Sequence, residues 1–335
     1  MKKATSLFVQ TLIIILLSIN LAAAQDQPET DFDAPYLIIA ADSLFNADQY
    51  EKAREWYMQA AEKAETDSLN SELTEANAMI ARTYLVQGYV DEGMEYLRKT
   101  LQTATPDDPM GWSRYLSVRG RFEWNNGTLD KATETFKEMF YYCQEHELWD
   151  RAVDAAHMVA ITSDLPGQVE WAHKGIEVAE KHEVTSWLGP LWNNLGATYE
   201  DLEQYPEALQ AYKKAREYHY KYGSERNKLI ADWAVGHAYR KVDSLEQAEN
   251  ILRPLVSRSE ELDEQEFLGW TYWELGRIEF WNRNYMKAAE LIREARDNLK
   301  EAGIGRWNPE KYKEIVAFLE RAKIRADEER ERKGE

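Results

Sequence analysis

The stretch Trp192-Asn-Asn-Leu195-Gly196-Ala-Thr-Tyr199, followed by Tyr205-Pro206-Glu207-Ala208 and then by Tyr212 and Ala215, decides the fold class. Its apolar and small residues recur three and four positions apart, the spacing of one helix face. The polar run Glu200-Asp201-Leu202-Glu203-Gln204 separates two such segments. The stretch therefore reads as two helices joined by a tight bend. Small residues such as Gly196 and Ala208 let two helix axes approach closely. Large residues a turn away fill the space between one hairpin and the next.

The same spacing runs along the chain. The small residue that opens the second helix recurs at Ala53, Gly93, Ala132, Ala172, Ala208, Ala248 and Ala288, at intervals of 40, 39, 40, 36, 40 and 40 residues. Twelve residues before each anchor stand Ala41, Ala81, Gly120, Ala160, Gly196, Gly236 and Gly276. Three before it stand Tyr50, Val90, Leu129, Val169, Tyr205, Leu245 and Tyr285; four after it stand Tyr57, Leu97, Phe136, Ile176, Tyr212, Leu252 and Ile292. One hairpin cannot bury its apolar face alone, so neighbours must stack into an array.

These residues resemble the tetratricopeptide repeat, whose W-x2-L-G-x2-Y…A-x3-F signature the fifth copy follows at nearly every position. The resemblance implies an all-α, right-handed superhelical solenoid of about seven hairpins over residues 36–305, closed by a charged capping helix over residues 306–335. Three features depart from the family. The period is close to 40 rather than about 34. The terminal proline of the signature is replaced by Tyr220, and the fourth copy has Ile161-Thr-Ser163 where an aromatic is expected. The longer period is similar to that of the longer-helix branch of the family found in scaffold and cargo-adaptor proteins. Turn signals at Asp107-Asp108-Pro109 and Tyr222-Gly223-Ser224 fall between copies. Asn126-Gly127 and Pro166-Gly167 fall at bends inside hairpins.

Apolar residues make up 44% of the chain and charged residues 30%, enough to build a core. The formal net charge of −19 disfavours nucleic acid and anionic lipid as partners, because binding to both depends on Lys and Arg. Lys2 and Lys3, the apolar run from Leu12 to Leu17, and Ala22-Ala23-Ala24 before Gln25 read as a cleaved signal peptide over residues 1–24. A linker over residues 25–35 would follow, and the mature protein is expected to be periplasmic or secreted. Cys143, the single cysteine, excludes an internal disulfide.

No phosphate-binding loop, nucleophile elbow or zinc motif is present, and the six histidines do not pair at metal-ligand spacing. No catalytic residue, cofactor or metal is expected, and the reading is of a non-enzymatic scaffold or adaptor that binds protein or peptide. The resemblance implies a concave groove lined by first-helix positions 18, 15, 11 and 8 residues before each anchor. The candidate groove residues are Arg82, Arg114, Arg121, Trp124, His157, Asn193, Trp233, His237, Arg240, Trp273 and Arg277. This set is rich in Arg, His and Trp and poor in carboxylates, which points to an acidic peptide partner. The family's Lys/Asn carboxylate clamp is not reproduced. Two alternatives remain open: a periplasmic sensory or regulatory input module acting through a partner chain, and a glycan-binding protein using its tryptophans. Protein purified from the native envelope should have the mass of a chain beginning at Gln25. An intact mass that includes Met1 to Ala24 would contradict the export reading.

Overall fold

The computed structural model describes residues 32–333; the expected signal peptide and residues 25–31 of the linker lie outside the described residues. Sixteen helices and no strand occur among the described residues. They are α1 Ala34–Asn46, α2 Tyr50–Thr66, α3 Asn70–Val86, α4 Val90–Thr103, α5 Pro109–Asn125, α6 Leu129–Glu145, α7 Trp149–Thr162 and α8 Leu165–Lys181. There follow α9 Thr185–Asp201, α10 Tyr205–Tyr222, α11 Glu225–Lys241, α12 Leu245–Glu261, α13 Gln265–Trp281, α14 Tyr285–Glu301, the short α15 Ile304–Trp307, and α16 Pro309–Lys333. Successive pairs form the seven hairpins of an all-α solenoid. None of these helices is long and apolar enough to cross a membrane. The chain divides into two compact units between Arg151 and Ala152.

The period has a simple origin. From α11 to α14 every helix has 17 residues and every link has three. The interval of 36 falls one copy late. The first helix α7 has only 14 residues, whereas α5 and α9 have 17, so the fourth copy is short by about one turn. Ala172 stands one turn further into α8 than the other anchors stand in their helices, which moves the short interval past it. Pro166-Gly167 does not form a bend, as the sequence suggested. Both residues lie in the first turn of α8, capped by Asp164, whose side chain accepts from the Gly167 amide at 3.0 Å. Proline is accommodated there because its missing N–H would have no helical partner.

The three-residue links share one conformation. At the α9–α10 bend, Glu203 is left-handed (φ 58°), the Gln204 amide bonds the Tyr199 carbonyl at 2.8 Å and the Glu203 amide bonds the Glu200 carbonyl at 2.9 Å. This double closure satisfies the last carbonyls of the helix and reverses the chain. The same pattern recurs at Asp48, Ser68, Glu147, Asp243, Asp263 and Arg283; Glu183 is also left-handed and keeps the outer bond, from the Val184 amide to the Ala179 carbonyl, and none of these residues is glycine.

In the four hairpins where the residue twelve before the anchor is glycine, it meets the large residue four after the anchor. A Cβ on Gly196 would lie 2.7 Å from the Tyr212 ring, and one on Gly236 would lie 2.7 Å from Leu252. Gly120 is pressed equally closely against Phe136, and Gly276 against Ile292. The large residues thus pack on their own hairpin as well as on the next. Leu252 belongs to one buried cluster with Leu229, Leu255, Leu275 and Ile278, drawn from three helices. Each such Leu or Ile side chain contributes about 1.5–3 kcal/mol by leaving water. The residues three before the anchor are less enclosed: Tyr205 and Leu245 start their helices half-buried, and Leu129 is exposed. At the end of the array α16 lays Ile315, Leu319 and Ala322 on Ile292, Ala295 and Leu299 of α14. Gly196→Leu and Gly236→Leu should each destabilise the protein by about 1–3 kcal/mol or more through overpacking, read as a lowered thermal midpoint. Glu203→Gly should raise stability by up to about 1 kcal/mol, since glycine adopts the left-handed conformation without strain; a lowered urea midpoint would contradict this reading of the bend.

Candidate functional site

First-helix side chains carry the candidate site. In the first unit Arg114 of α5 pairs with Asp42 of α1 at 3.2 Å and with Glu75 of α3 at 3.3 Å. Arg151 of α7 reaches the same Glu75 at 2.5 Å and Ser113 Oγ at 2.6 Å. The Tyr57 hydroxyl donates to Asp42. Burial would push the Arg114 guanidinium down, but Asp42 and Glu75 hold it above its usual range. Burial and the neighbouring Arg114 push Arg151 down. Two arginines therefore face two carboxylates, and Arg114, which the sequence offered to a partner, is already paired. Arg82 lies 4.8 Å over the Phe45 ring. Arg121 donates to the Ser117 carbonyl at 3.0 Å and lies 5.8 Å from the Phe136 ring. Trp124 is 42% exposed.

The second unit repeats the arrangement. His237 of α11 stands between Glu200 of α9 and Glu274 of α13, 3.0 Å from each. Its ring stacks on Trp233 at 5.1 Å and 16°. Burial alone would push the imidazole down; the carboxylates of Glu274 and Glu200 reverse that and hold its pKa up at about 9. Arg240 also pairs with Glu274, and Arg277 approaches it at 3.8 Å. Burial pushes Glu274 up, and His237, Arg240 and Arg277 more than compensate, holding it well below the usual carboxylate range. His157 contacts Trp187 at 5.6 Å and Asn194 at 3.4 Å. Asn193 and Trp233 are half-buried, and Asn193 Oδ1 and Trp233 Nε1 have no hydrogen-bond partner among the described residues.

Two of the expected groove residues are corrected. Trp273 is 1% exposed and belongs to the core, where its ring meets Phe318 of the closing helix at 5.3 Å and Lys311 covers it at 5.5 Å. Arg240 is 7% exposed, enclosed with Glu274. Both stand at groove offsets, but α16 covers Trp273 and Glu274 of α13 holds Arg240. The expected scarcity of carboxylates is also corrected. Asp42 and Glu75 occupy the offsets 11 and 18 residues before their anchors, so the signal was present in the sequence. Glu274 sits 14 before its anchor, outside those offsets. A third cluster went unread: buried Asp232 of α11 holds Arg216 of α10 at 2.5 Å, Arg258 of α12, and the Tyr220 hydroxyl at 2.6 Å. Among the described residues no group of His, Cys, Asp and Glu is arranged to hold a metal ion.

Comparison with known proteins gives a consistent fold. The sequence profile of the tetratricopeptide repeat matches residues 190–219, most of the α9–α10 hairpin. No curated protein matches the chain in sequence. Among solved structures, the apo form of RapI superposes with a TM-score of 0.68 and 14% identity, covering 88% of this chain and 88% of that one. A signal transduction ATPase with numerous domains and a tetratricopeptide repeat sensor, from Pyrococcus horikoshii, gives 0.63 at 16% identity over 86% of this chain and 44% of its own. A Rap protein complexed with Competence and Sporulation Factor gives 0.53 at 14% identity, with 88% of each chain covered. At such identities the likeness is one of fold.

The His237 cluster makes a signed prediction. Its folded pKa of about 9 lies above the ordinary 6.5, so its contribution to stability is complete below pH 6.5 and is lost as pH rises through 9. His237→Gln should cost about 1.5–3 kcal/mol near neutrality, the worth of a charge-assisted contact, because Glu274 keeps Arg240 and Arg277. It should also flatten the fall in the urea midpoint between pH 6.5 and 9. An equally steep fall in the variant would show that the imidazole is not the titrating group.

Proposed function

This chain is a tetratricopeptide-repeat protein, and from that premise we propose that it is an exported, non-enzymatic scaffold that binds a protein or peptide on its first-helix face. The observation that carries the reading is the row of residues eleven before each anchor. Asp42, Arg82 and Arg121 in the first unit, and Ile161, Ala197, His237 and Arg277 in the second, all keep some exposure to solvent. The row fifteen residues further on, four after each anchor, is wholly buried. The first-helix face is therefore held rigid by the core behind it while remaining accessible, the arrangement that lowers the entropic cost of binding. A Rap protein of similar fold is complexed with Competence and Sporulation Factor, which supports a fold able to carry a bound partner.

The neutralised ion pairs change how such a face would recognise its partner. A carboxylate offered to Arg114 would compete with Asp42 and Glu75 already in place. Recognition would rest on Arg121 and Trp124 in the first unit, and on His157, Asn193 and Trp233 in the second; each set combines flat apolar area with polar edges. The unpartnered Asn193 Oδ1 and Trp233 Nε1 fit this role, because buried polar atoms are usually satisfied. The export reading is supported by the Lys2-Lys3, Leu12–Leu17 and Ala22-Ala23-Ala24 pattern, which has the order of a signal peptide.

Affinity capture from the native envelope, with mass spectrometry of the bound material, identifies the partner. The pair Arg121→Ala and Trp124→Ala should then weaken its binding at least about tenfold, since Arg and Trp dominate interface energies. Unchanged affinity, together with an unchanged thermal midpoint, would move the binding site off this face.

A further inference from the structure

At the end of the array lies a groove that neither the repeat core nor the first-helix face uses. It is bounded by the α13–α14 bend, the first turn of α14 and the last turns of α16. One part has a volume of about 290 Å³ and an adjoining part about 490 Å³, and both are lined by Arg283, Tyr285 and Glu329. Five cations, Arg283, Lys287, Arg325, Arg330 and Arg332, line it against one carboxylate, Glu329. In a chain of net charge −19 the local sign is reversed. The sequence placed that reversal on the first-helix face, where the structure shows paired charges instead.

These cations differ from the buried ones in how they are held. Arg325 pairs with Glu328 at 3.0 Å, Arg330 with Asp327 at 3.7 Å and Lys287 with Glu290 at 3.6 Å. Each partner is three residues away on the same exposed helix surface, a kind of pair that contributes little and exchanges readily. Arg283 has no ion pair or side-chain hydrogen bond among the described residues, and it occupies the left-handed position of its bend. Tyr285 and the 46% exposed Met286 add apolar surface at one edge.

We propose that this groove docks an acidic, extended peptide segment of a partner protein, with Arg283, Arg325 and Arg332 holding its carboxylates. The groove suits a few residues of chain. A long polyanion such as nucleic acid, or an anionic membrane, would meet the acidic surface beyond it and be repelled. Tyr285 and Met286 give a peptide contacts that a free inorganic anion would not use.

The test is fluorescence anisotropy on the full chain with a labelled oligoglutamate peptide. The parent should bind it at low salt, more weakly as salt rises. Arg283→Ala with Arg325→Ala should weaken binding at least about tenfold, and the corresponding Lys pair should keep most of it. The Arg121→Ala, Trp124→Ala variant should bind the peptide as the parent does, which separates this groove from the first-helix face. Equal binding by parent and the Arg283→Ala, Arg325→Ala variant would overturn the proposal. So would displacement of the peptide by inorganic phosphate at matched charge, which would mark a site for free anions.

Discussion

The close contact between a glycine or alanine of the first helix and a large side chain of the second is what the rest of the structure depends on. Gly196 against Tyr212 and Gly236 against Leu252 leave no room for a Cβ, so the two axes of each hairpin are drawn together. That approach fixes which face of each helix is buried. The row four after each anchor goes inside, and the row eleven before it stays accessible. Stacking, the three-residue links and the exposure of the first-helix face all follow from this one register. The links then repeat the geometry, because a left-handed residue sits in every three-residue link. Eight of these positions are not glycine, so the array tolerates modest backbone strain to keep its bends short.

Electrostatics enters as a second layer, built on the first. Charged residues on first helices one or two hairpins apart stand close enough to pair. Asp42, Glu75, Arg114 and Arg151 do so in the first unit, and Glu200, His237, Glu274 and Arg240 in the second. Such buried pairs add little net stability over apolar packing, but removing one partner is expensive. They specify which helix lies beside which, and they neutralise the face that a ligand would meet. The exposed arginines of the C-terminal groove lack this enclosure and remain available.

The hairpins were legible in the sequence because their determinants are residue types at fixed offsets. Small at −12, small at the anchor and large at +4 are visible in Gly236, Ala248 and Leu252 without coordinates. The bends were less legible: Glu203 and Arg283 carry no turn signal, since the left-handed conformation is imposed by the helices on either side. The shortened α7 was misplaced by one copy, because spacing locates a deletion only between anchors. The charge pattern of the candidate face was legible only in half. Arg114 and His237 could be placed by offset, but their partners Asp42, Glu75 and Glu274 come from other repeats, one or two hairpins away, and pairing depends on distances that a linear offset does not carry. Trp273 was misread for a related reason: its offset belongs to the open face, and α16 covers it.

A double-mutant cycle on Gly236 and Leu252 tests the register most directly. Gly236→Val alone forces a branched side chain into Leu252, and Leu252→Ala alone leaves a cavity. If these two residues set the approach of α11 and α12, the double variant should be more stable than the sum of the single effects by at least about 1 kcal/mol. Additive effects, within about 0.5 kcal/mol, would show that the two side chains do not meet and that the hairpin packs in a different register.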